Sequence, residues 1–237
     1  QKKILSLAGN GRISISVVGG GPAAIELAGN AHHLALTTGC KNIEVRMCAG
    51  KNLLKGFSPN VSGKIRSNFK SRGIIIDESG YVEKIVDNTI YLKDKVTHSA
   101  DVIFLATGVK PSPIFHASGL ATGPDGGLKV NEFLQSTDYP NIFGGGDCIH
   151  FTPSPLDKVG VYAVRQNPVL LHNVCASLDG TSLEPFDPGG SYLLIFNLGS
   201  RAGVLKKGPL VLKGRLAFLI KDYIDRKFMD TFQLLEK

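Results

Sequence analysis

The sequence has no apolar run near the ~18–20 residues that a bilayer-crossing helix needs, which excludes a helical membrane span. Gln1–Gly11 lacks the apolar core of a signal peptide. No CxxC pair occurs among Cys40, Cys48, Cys148 and Cys175, and their spacings suit no zinc site. Reduced, buried thiols in a cytoplasmic protein are therefore expected, and no dithiol within the chain. There is no internal repeat and no low-complexity segment. The first residue is Gln1 rather than Met, so a piece of a longer protein is expected.

Acid is scarce at the start. Residues 1–72 carry 11 Lys/Arg but only 2 Asp/Glu, whereas residues 73–200 carry 7 and 14, and residues 201–237 carry 9 and 4. No nucleic-acid reader motif accompanies the basic ends, and aromatic residues are not interleaved with them, so no nucleic-acid partner is expected. The basic blocks suit a phosphate-bearing ligand, an anionic surface or simple solvated faces. With 237 residues, 43% hydrophobic, 20% charged and 28 glycines, the chain can build one large domain or two smaller ones.

Strand and helix patterns alternate. Ile13–Val18, Ile43–Met47, Gly73–Ile76, Tyr81–Ile85, Thr89–Leu92 and Val102–Leu105 read as strands. Ala23–Leu36 and Asn60–Ser71 read as helices, the latter from Val61, Ile65 and Phe69 at i, i+4 and i+8. Asn141–Phe143 reads as a short strand, and Val159–Leu178 as a helix with a kink at Pro168. Tyr192–Asn197 and Arg201–Leu205 pair as strands before a final amphipathic helix, Arg215–Leu235. The pattern predicts an α/β fold with a parallel sheet. The Gly-, Pro- and Ser-rich loop Pro111–Gly127 is the best candidate boundary.

The first motif with chemical content is Gly19-Gly20-Gly21-Pro22-Ala23-Ala24, placed after a strand and opening a helix. Gly19 permits a sharp turn, Gly21 leaves the backbone open to a pyrophosphate, and Ala24 lets the helix pack close to the sheet. The helix N-terminus then offers free N–H groups to phosphate. The alternative is a glycine-rich structural turn. An acid expected ~20 residues on, to hold a ribose 2′-hydroxyl, is missing from Val45-Arg46-Met47-Cys48-Ala49-Gly50-Lys51. Arg46, Lys51 and Lys55 stand nearby instead and tilt the reading toward a 2′-phosphate, unless they are merely solvated.

Two further segments share a form: Thr97 before Val102-Ile103-Phe104-Leu105-Ala106-Thr107-Gly108, and Thr137 before Ile142-Phe143-Gly144-Gly145-Gly146-Asp147. In this order and spacing the three motifs resemble the pyridine nucleotide-disulfide oxidoreductase superfamily, the two-dinucleotide-binding flavoproteins, from Ile13 to about Leu178. The run from Gly145 through Cys148-Ile149-His150 to Gln166, and the ending Lys221-Asp222-Tyr223-Ile224-Asp225-Arg226-Lys227-Phe228-Met229, resemble more narrowly the type II NADH dehydrogenase-like branch, akin to the flavoprotein fused to selenide, water dikinase.

The resemblance implies that Gly19–Ala24 binds NAD(P)H and that Thr107 and Gly108 lie on the crossover toward a flavin domain. Gly146 and Asp147 would hold FAD, and the helix near Ala163 and Gln166 would direct its N-terminal end at the flavin ring. Glu26 matches a carboxylate near the nicotinamide; a first-turn carboxylate favouring the helix dipole is the other reading. Hydride would pass from NAD(P)H to FAD and then to an acceptor such as a quinone. A first FAD-binding GxGxxG has no counterpart before Ile13. The chain is therefore expected to be a C-terminal portion, with the N-terminal FAD-binding half as its partner. The implied division is a Rossmann-like domain at 1–110, the C-terminal part of an FAD-binding domain at 111–182, and a small α+β cap at 183–237. The apolar face of the last helix, with Leu216, Phe218, Leu219, Tyr223, Ile224, Phe228 and Phe232, leaves two uses open: docking on the flavin domain or a second subunit, or peripheral membrane contact. A nucleotide sensor or scaffold without redox activity is the rival function, disfavoured by the retained Gly146-Asp147.

Overall fold

Strand Arg12–Val18 has Ile13, Ile15 and Val17 fully buried on one face, while Ser16 and Val18 are buried on the other. Burial on both faces marks the centre of a parallel sheet. A computed structural model describes residues 2–8, 11–93 and 97–233. It divides the chain into two units, Gln1–Gly108 with Leu193–Lys237, and Val109–Tyr192. This differs from the expected three-part division: the segment expected as a separate cap groups instead with the first domain, for reasons given below.

In chain order the first part of unit 1 contains α1 (Lys2–Ala8), β1 (Arg12–Val18), α2 (Pro22–Thr37), β2 (Asn42–Cys48), α3 (Pro59–Ser71), β3 (Ile75–Asp77), β4 (Val82–Val86), β5 (Thr89–Leu92), β6 (Thr97–Ser99) and β7 (Val102–Leu105). The parallel sheet has the order β3-β2-β1-β7. Its register aligns the strand tips: Val18 pairs with Cys48 and Leu105, and Cys48 with Asp77. Both long helices begin with proline in their first turn, where a missing N–H costs no helical bond. Ala24, Ile25 and Ala28 of α2 and Val61, Ile65 and Phe69 of α3 enter one core with Ile13, Ile15, Val45 and Met47. The antiparallel meander β4-β5-β6 adds Ile90 and Leu92, which pack with Val18 and Cys48.

Unit 2 contains α4 (Ile114–Ala117), β8 (Leu128–Val130), β9 (Ile149–Phe151) and α5 (Gly160–Asp179). β8 and β9 form a two-stranded parallel pair, and Phe151 meets Phe186 edge-on at 5.5 Å. The strand expected at Asn141–Phe143 does not form; Phe143 makes a single bridge to Gln135, and Gly146–Cys148 is a 3-10 turn. α5 runs through Pro168 as one helix and ends at Gly180 in the left-handed conformation. Asn173 is fully buried with its amide satisfied: Nδ2 donates to the carbonyls of Phe133 and Glu184, each at 2.8 Å, and Oδ1 accepts from Glu184 N at 2.7 Å.

The chain then completes unit 1 with β10 (Leu194–Asn197), β11 (Gly203–Lys207), β12 (Leu210–Gly214) and α6 (Arg215–Gln233). The expected helix end at Leu235 lies outside the described residues. β10, β11 and β12 form an antiparallel sheet. Phe196, Leu198 and Val204 enter the main core, while Ile195 and Leu205 receive Ala217 of α6. Of the apolar face expected on α6, Leu216, Leu219 and Tyr223 are exposed; the helix packs through Ala217 and Ile220 instead. No helix among the described residues is long and apolar enough to cross a membrane.

Backbone contact holds this C-terminal segment to α2. A Cβ on Gly29 would lie 2.2 Å from the Leu198 carbonyl oxygen, and one on Gly199 would lie 2.2 Å from the Gly29 oxygen. Arg72 bridges the contact, donating to the Leu198 carbonyl, to the Gly29 carbonyl at 2.9 Å, and approaching His32 Nδ1 at 3.1 Å. Burial lowers the pKa of Arg72, and burial with the nearby Arg72 charge lowers that of His32. Gly29→Ala gains helix propensity but meets backbone that cannot rotate away. A net loss of about 1–3 kcal/mol in unfolding free energy is expected, measured by urea denaturation of the whole chain.

Candidate functional site

The glycine turn sits where β1 ends. Gly19 has φ +142°, and a Cβ there would lie 2.1 Å from the Ala106 oxygen, so the turn requires glycine on both counts. Gly19 N donates to Cys48 O at 3.0 Å, and Leu54 N donates to Gly20 O at 2.8 Å, bracing the turn from two sides. Ala24 is fully buried beneath it. Gly21 differs from its neighbours: a Cβ there meets nothing within 4 Å. It opens onto a cleft of about 260 Å³ lined by Gly20, Gly21, Pro22, Asn52, Lys55 and Tyr81. The first N–H groups of α2 have no partner inside the helix, and the helix dipole favours an anion beside them. This arrangement fits a dinucleotide pyrophosphate. Tyr81, 55% exposed, packs its ring against Gly50 at the cleft. Nothing in the motif pattern singles it out.

The tip of β2 carries a charge network. Cys48 ends the strand, and burial, then the Asp77 carboxylate, push its thiol up to about 11. Arg46 lies 3.3 Å from Glu44 and 3.5 Å from Asp77. Asp77 also accepts Ser79 Oγ at 2.6 Å and meets His98 Nε2 at 2.9 Å. Burial alone would raise the Asp77 pKa; the hydrogen bonds from Ser79 and His98 outweigh it and set the carboxyl below its ordinary value. Arg46, expected beside a ligand phosphate, is thus engaged with carboxylates. Lys51 is exposed in the following loop, and Lys55 lines the cleft. Glu78 fixes that loop, accepting Leu53 N at 2.7 Å and Arg66 at 2.5 and 2.8 Å; the Arg66 hydrogen bond lowers its pKa.

Glu26 lies in α2 but does not line the cleft. Its Oε1 accepts Asn197 N at 2.8 Å and lies 3.7 Å from Lys221 Nζ. Asn197 and Lys221 are 171 and 195 residues away in sequence, so neither partner was foreseeable from the motif. Thr107 and Gly108 follow β7 and are exposed, while Ala106 N donates to Val18 O at 2.8 Å.

The third motif lies in unit 2. Gly146 has φ +71°, and its N–H donates to Gln166 Oε1 at 2.6 Å. Gln166 is 2% exposed, so this bond ties α5 to the glycine turn. Ala163 lies 3.4 Å from where a Gly146 Cβ would be. Gly146, Asp147, Tyr162 and Gln166 line a narrow cleft with Asp157 and Lys158. Glycine backbone, a partly exposed carboxylate and the start of α5 fit one edge of a flavin nucleotide site. Ala23, exposed in the first turn of α2, completes the placement of the residues expected from sequence. They fall into two sets: Gly19–Ala24, Lys51, Thr107 and Gly108 in unit 1, and Gly146, Asp147, Ala163 and Gln166 in unit 2.

Sheet order and glycine turn define a dinucleotide-binding α/β protein. The family model for pyridine nucleotide-disulphide oxidoreductases matches residues 2–173, and the chain belongs to that family. The type II NADH:quinone oxidoreductase of Haemophilus influenzae is 26% identical over 225 residues, 87% of this chain and 50% of that protein. Ferroptosis suppressor protein 1 of Xenopus tropicalis is 28% identical over 204 residues, 80% of this chain and 52% of that protein. The chain thus spans about half the length of these curated relatives. The structure of NDH2 from Plasmodium falciparum in complex with NADH has the same fold, with a TM-score of 0.72 at 16% identity, covering 95% of this chain and 70% of that one. These similarities support the type II NADH dehydrogenase-like side of the family.

Asp77, Glu78 and Asp125 all have folded pKa values below their ordinary ones. For Asp125, burial acts upward and the Lys158 and Gly127 hydrogen bonds prevail. Their stabilisation is complete above the unfolded values of 3.8 and 4.5 and is lost as pH falls through the lower folded values. Urea unfolding should therefore show constant carboxylate-linked stability down to about pH 5 and a steep loss below about pH 4. Cys48, neutral and buried, should resist alkylation at pH 8 in the folded chain and react once urea unfolds it.

Proposed function

We propose that the chain is the dinucleotide-binding domain, with part of the flavin-binding domain, of a flavin-dependent NAD(P)H oxidoreductase whose acceptor belongs to the quinone class. The observation that carries this reading is the open Gly21 position at the N-terminus of α2, beside a cleft and behind a turn braced from both sides. Family membership and relatives described as quinone oxidoreductases support the reaction class. FAD, when bound, supplies the electron-accepting ring. This chain's residues do the holding. The α2 N-terminus and Gly20–Ala23 bind pyrophosphate, with Ala24 packed beneath, and Asp147 beside the Gly146 turn accepts hydroxyls of the flavin's sugar portion. Glu26 is the carboxylate proposed near the nicotinamide, and Asn197 N–H and Lys221 fix its position.

The exposed Leu216, Leu219, Tyr223 and Met229 of α6 support docking against the N-terminal flavin-binding half or a second subunit; peripheral contact with a lipid surface from the cytoplasmic side is the alternative. A nucleotide sensor without redox activity would have no use for the Gly146–Gln166 arrangement.

The binding step is tested on the whole chain by titrating NADH and NADPH and following nicotinamide fluorescence. Gly21→Val should weaken binding at least tenfold while the urea midpoint stays nearly constant, because the added side chain enters open space. Tyr81→Ala should weaken both dinucleotides by a similar factor. In protein carrying both flavin motifs, purified material should be yellow and should oxidise NAD(P)H with a soluble quinone. Colourless protein with no such oxidation would sink the enzyme reading.

A further inference from the structure

The loop after β2 decides which dinucleotide fits, and its charges are arranged unevenly. This inference rests on the dinucleotide reading above. A 2′-phosphate differs from a 2′-hydroxyl by close to two negative charges, so its site needs unengaged cations and no unpaired carboxylate. At the β2 tip the position that would carry an acid holds Cys48, 3% exposed. The two carboxylates that touch the strand tip and the loop are already partnered. Asp77, with its side chain 11% exposed, meets Arg46, Ser79 and His98, and Glu78 meets Arg66 and Leu53 N. Neither is left to repel a phosphate.

The cations divide in the same way. Arg46 is spent on Glu44 and Asp77. Lys55 forms no ion pair among the described residues and lines the cleft that Gly20 and Gly21 open into. Lys51 is exposed in the same loop and likewise unpaired among the described residues. The loop that carries them is fixed at Leu53 by Glu78 and at Leu54 by the Gly20 carbonyl, so the backbone bearing Lys55 is held beside the cleft, with Lys51 in the same loop.

From this geometry we infer that the cleft selects NADPH over NADH, with Lys55 as the main 2′-phosphate ligand, Lys51 assisting, and Arg46 serving only the sheet.

The experiment measures dissociation constants of NADPH and NADH for the whole chain at low salt, with 2′,5′-ADP and 5′-AMP as competing probes. NADPH should bind about tenfold more tightly than NADH, and 2′,5′-ADP should compete better than 5′-AMP. Lys55→Ala should remove most of that preference, weakening NADPH several-fold more than NADH. Lys51→Ala should remove a smaller part. Arg46→Gln should leave the ratio unchanged. Equal affinities, or tighter NADH, in the unaltered chain would overturn the inference. So would a preference that survives the Lys51→Ala, Lys55→Ala double variant, or one that Arg46→Gln abolishes. If neither dinucleotide binds, the dinucleotide reading itself fails, an outcome distinct from equal binding.

Discussion

The contact on which unit 1 depends is backbone against backbone, where Gly29 of α2 meets Leu198 and Gly199 under the Arg72 guanidinium. Glycine inside a helix costs about 1 kcal/mol relative to alanine. The gain is an approach that no side chain would permit. It lets Phe196, Leu198 and Val204 enter the same core as Ile13 and Val45. α2 thus carries the glycine turn at its start, Glu26 one turn later and the hairpin contact near its middle. A displacement of the hairpin would move Asn197, and with it the only backbone N–H that holds Glu26 Oε1 among the described residues. The C-terminal segment acts as a strut on α2.

Electrostatics at the other side of the sheet follow a similar logic. Arg46, Cys48, Asp77 and His98 lie between sheet and meander, where desolvation is costly unless charges are paired. Asp77 is partnered by three residues, Ser79, His98 and Arg46, which makes its negative charge structural. Cys48 stays protonated because both burial and that carboxylate oppose a thiolate. The network pairs the charges at the β2 tip with one another. Lys55 at the cleft and Lys51 in the same loop have no such partner among the described residues.

What the sequence disclosed was local. Strand, glycine turn and helix within Ile13–Leu36 are contiguous, so their periods and the glycine spacing could be read without knowing the fold. The same holds for Val61, Ile65 and Phe69, buried as their spacing requires. Elements of three residues, such as β6, β8 and β9, are too short to show a period, and Thr97–Ser99 is polar throughout. The strand expected at Asn141–Phe143 failed because Tyr139–Ile142 closes a turn instead. The division into domains could not be read from linkers, since residues 193–237 return to unit 1 across an intervening 84-residue unit, Val109–Tyr192.

The site shows the same divide between identity and pairing. Arg46 and Lys55 looked equivalent as basic residues following a strand that lacks its acid. Folding separates them, because Asp77, 31 residues beyond Arg46, arrives beside the first, and no carboxylate among the described residues pairs with the second. Glu26 is a parallel case: the pattern suggests a first-turn carboxylate favouring the helix dipole, yet the first turn of α2 holds no acid and the partners of Glu26 come from β10 and α6. Residue type places a charge near the ligand. Whether that charge is left for the ligand depends on long-range neighbours brought in by the sheet register and the returning C-terminal segment. On the reading proposed above, selectivity would rest on which charges remain unpaired after folding, and the motif supplies only the frame in which they are arranged.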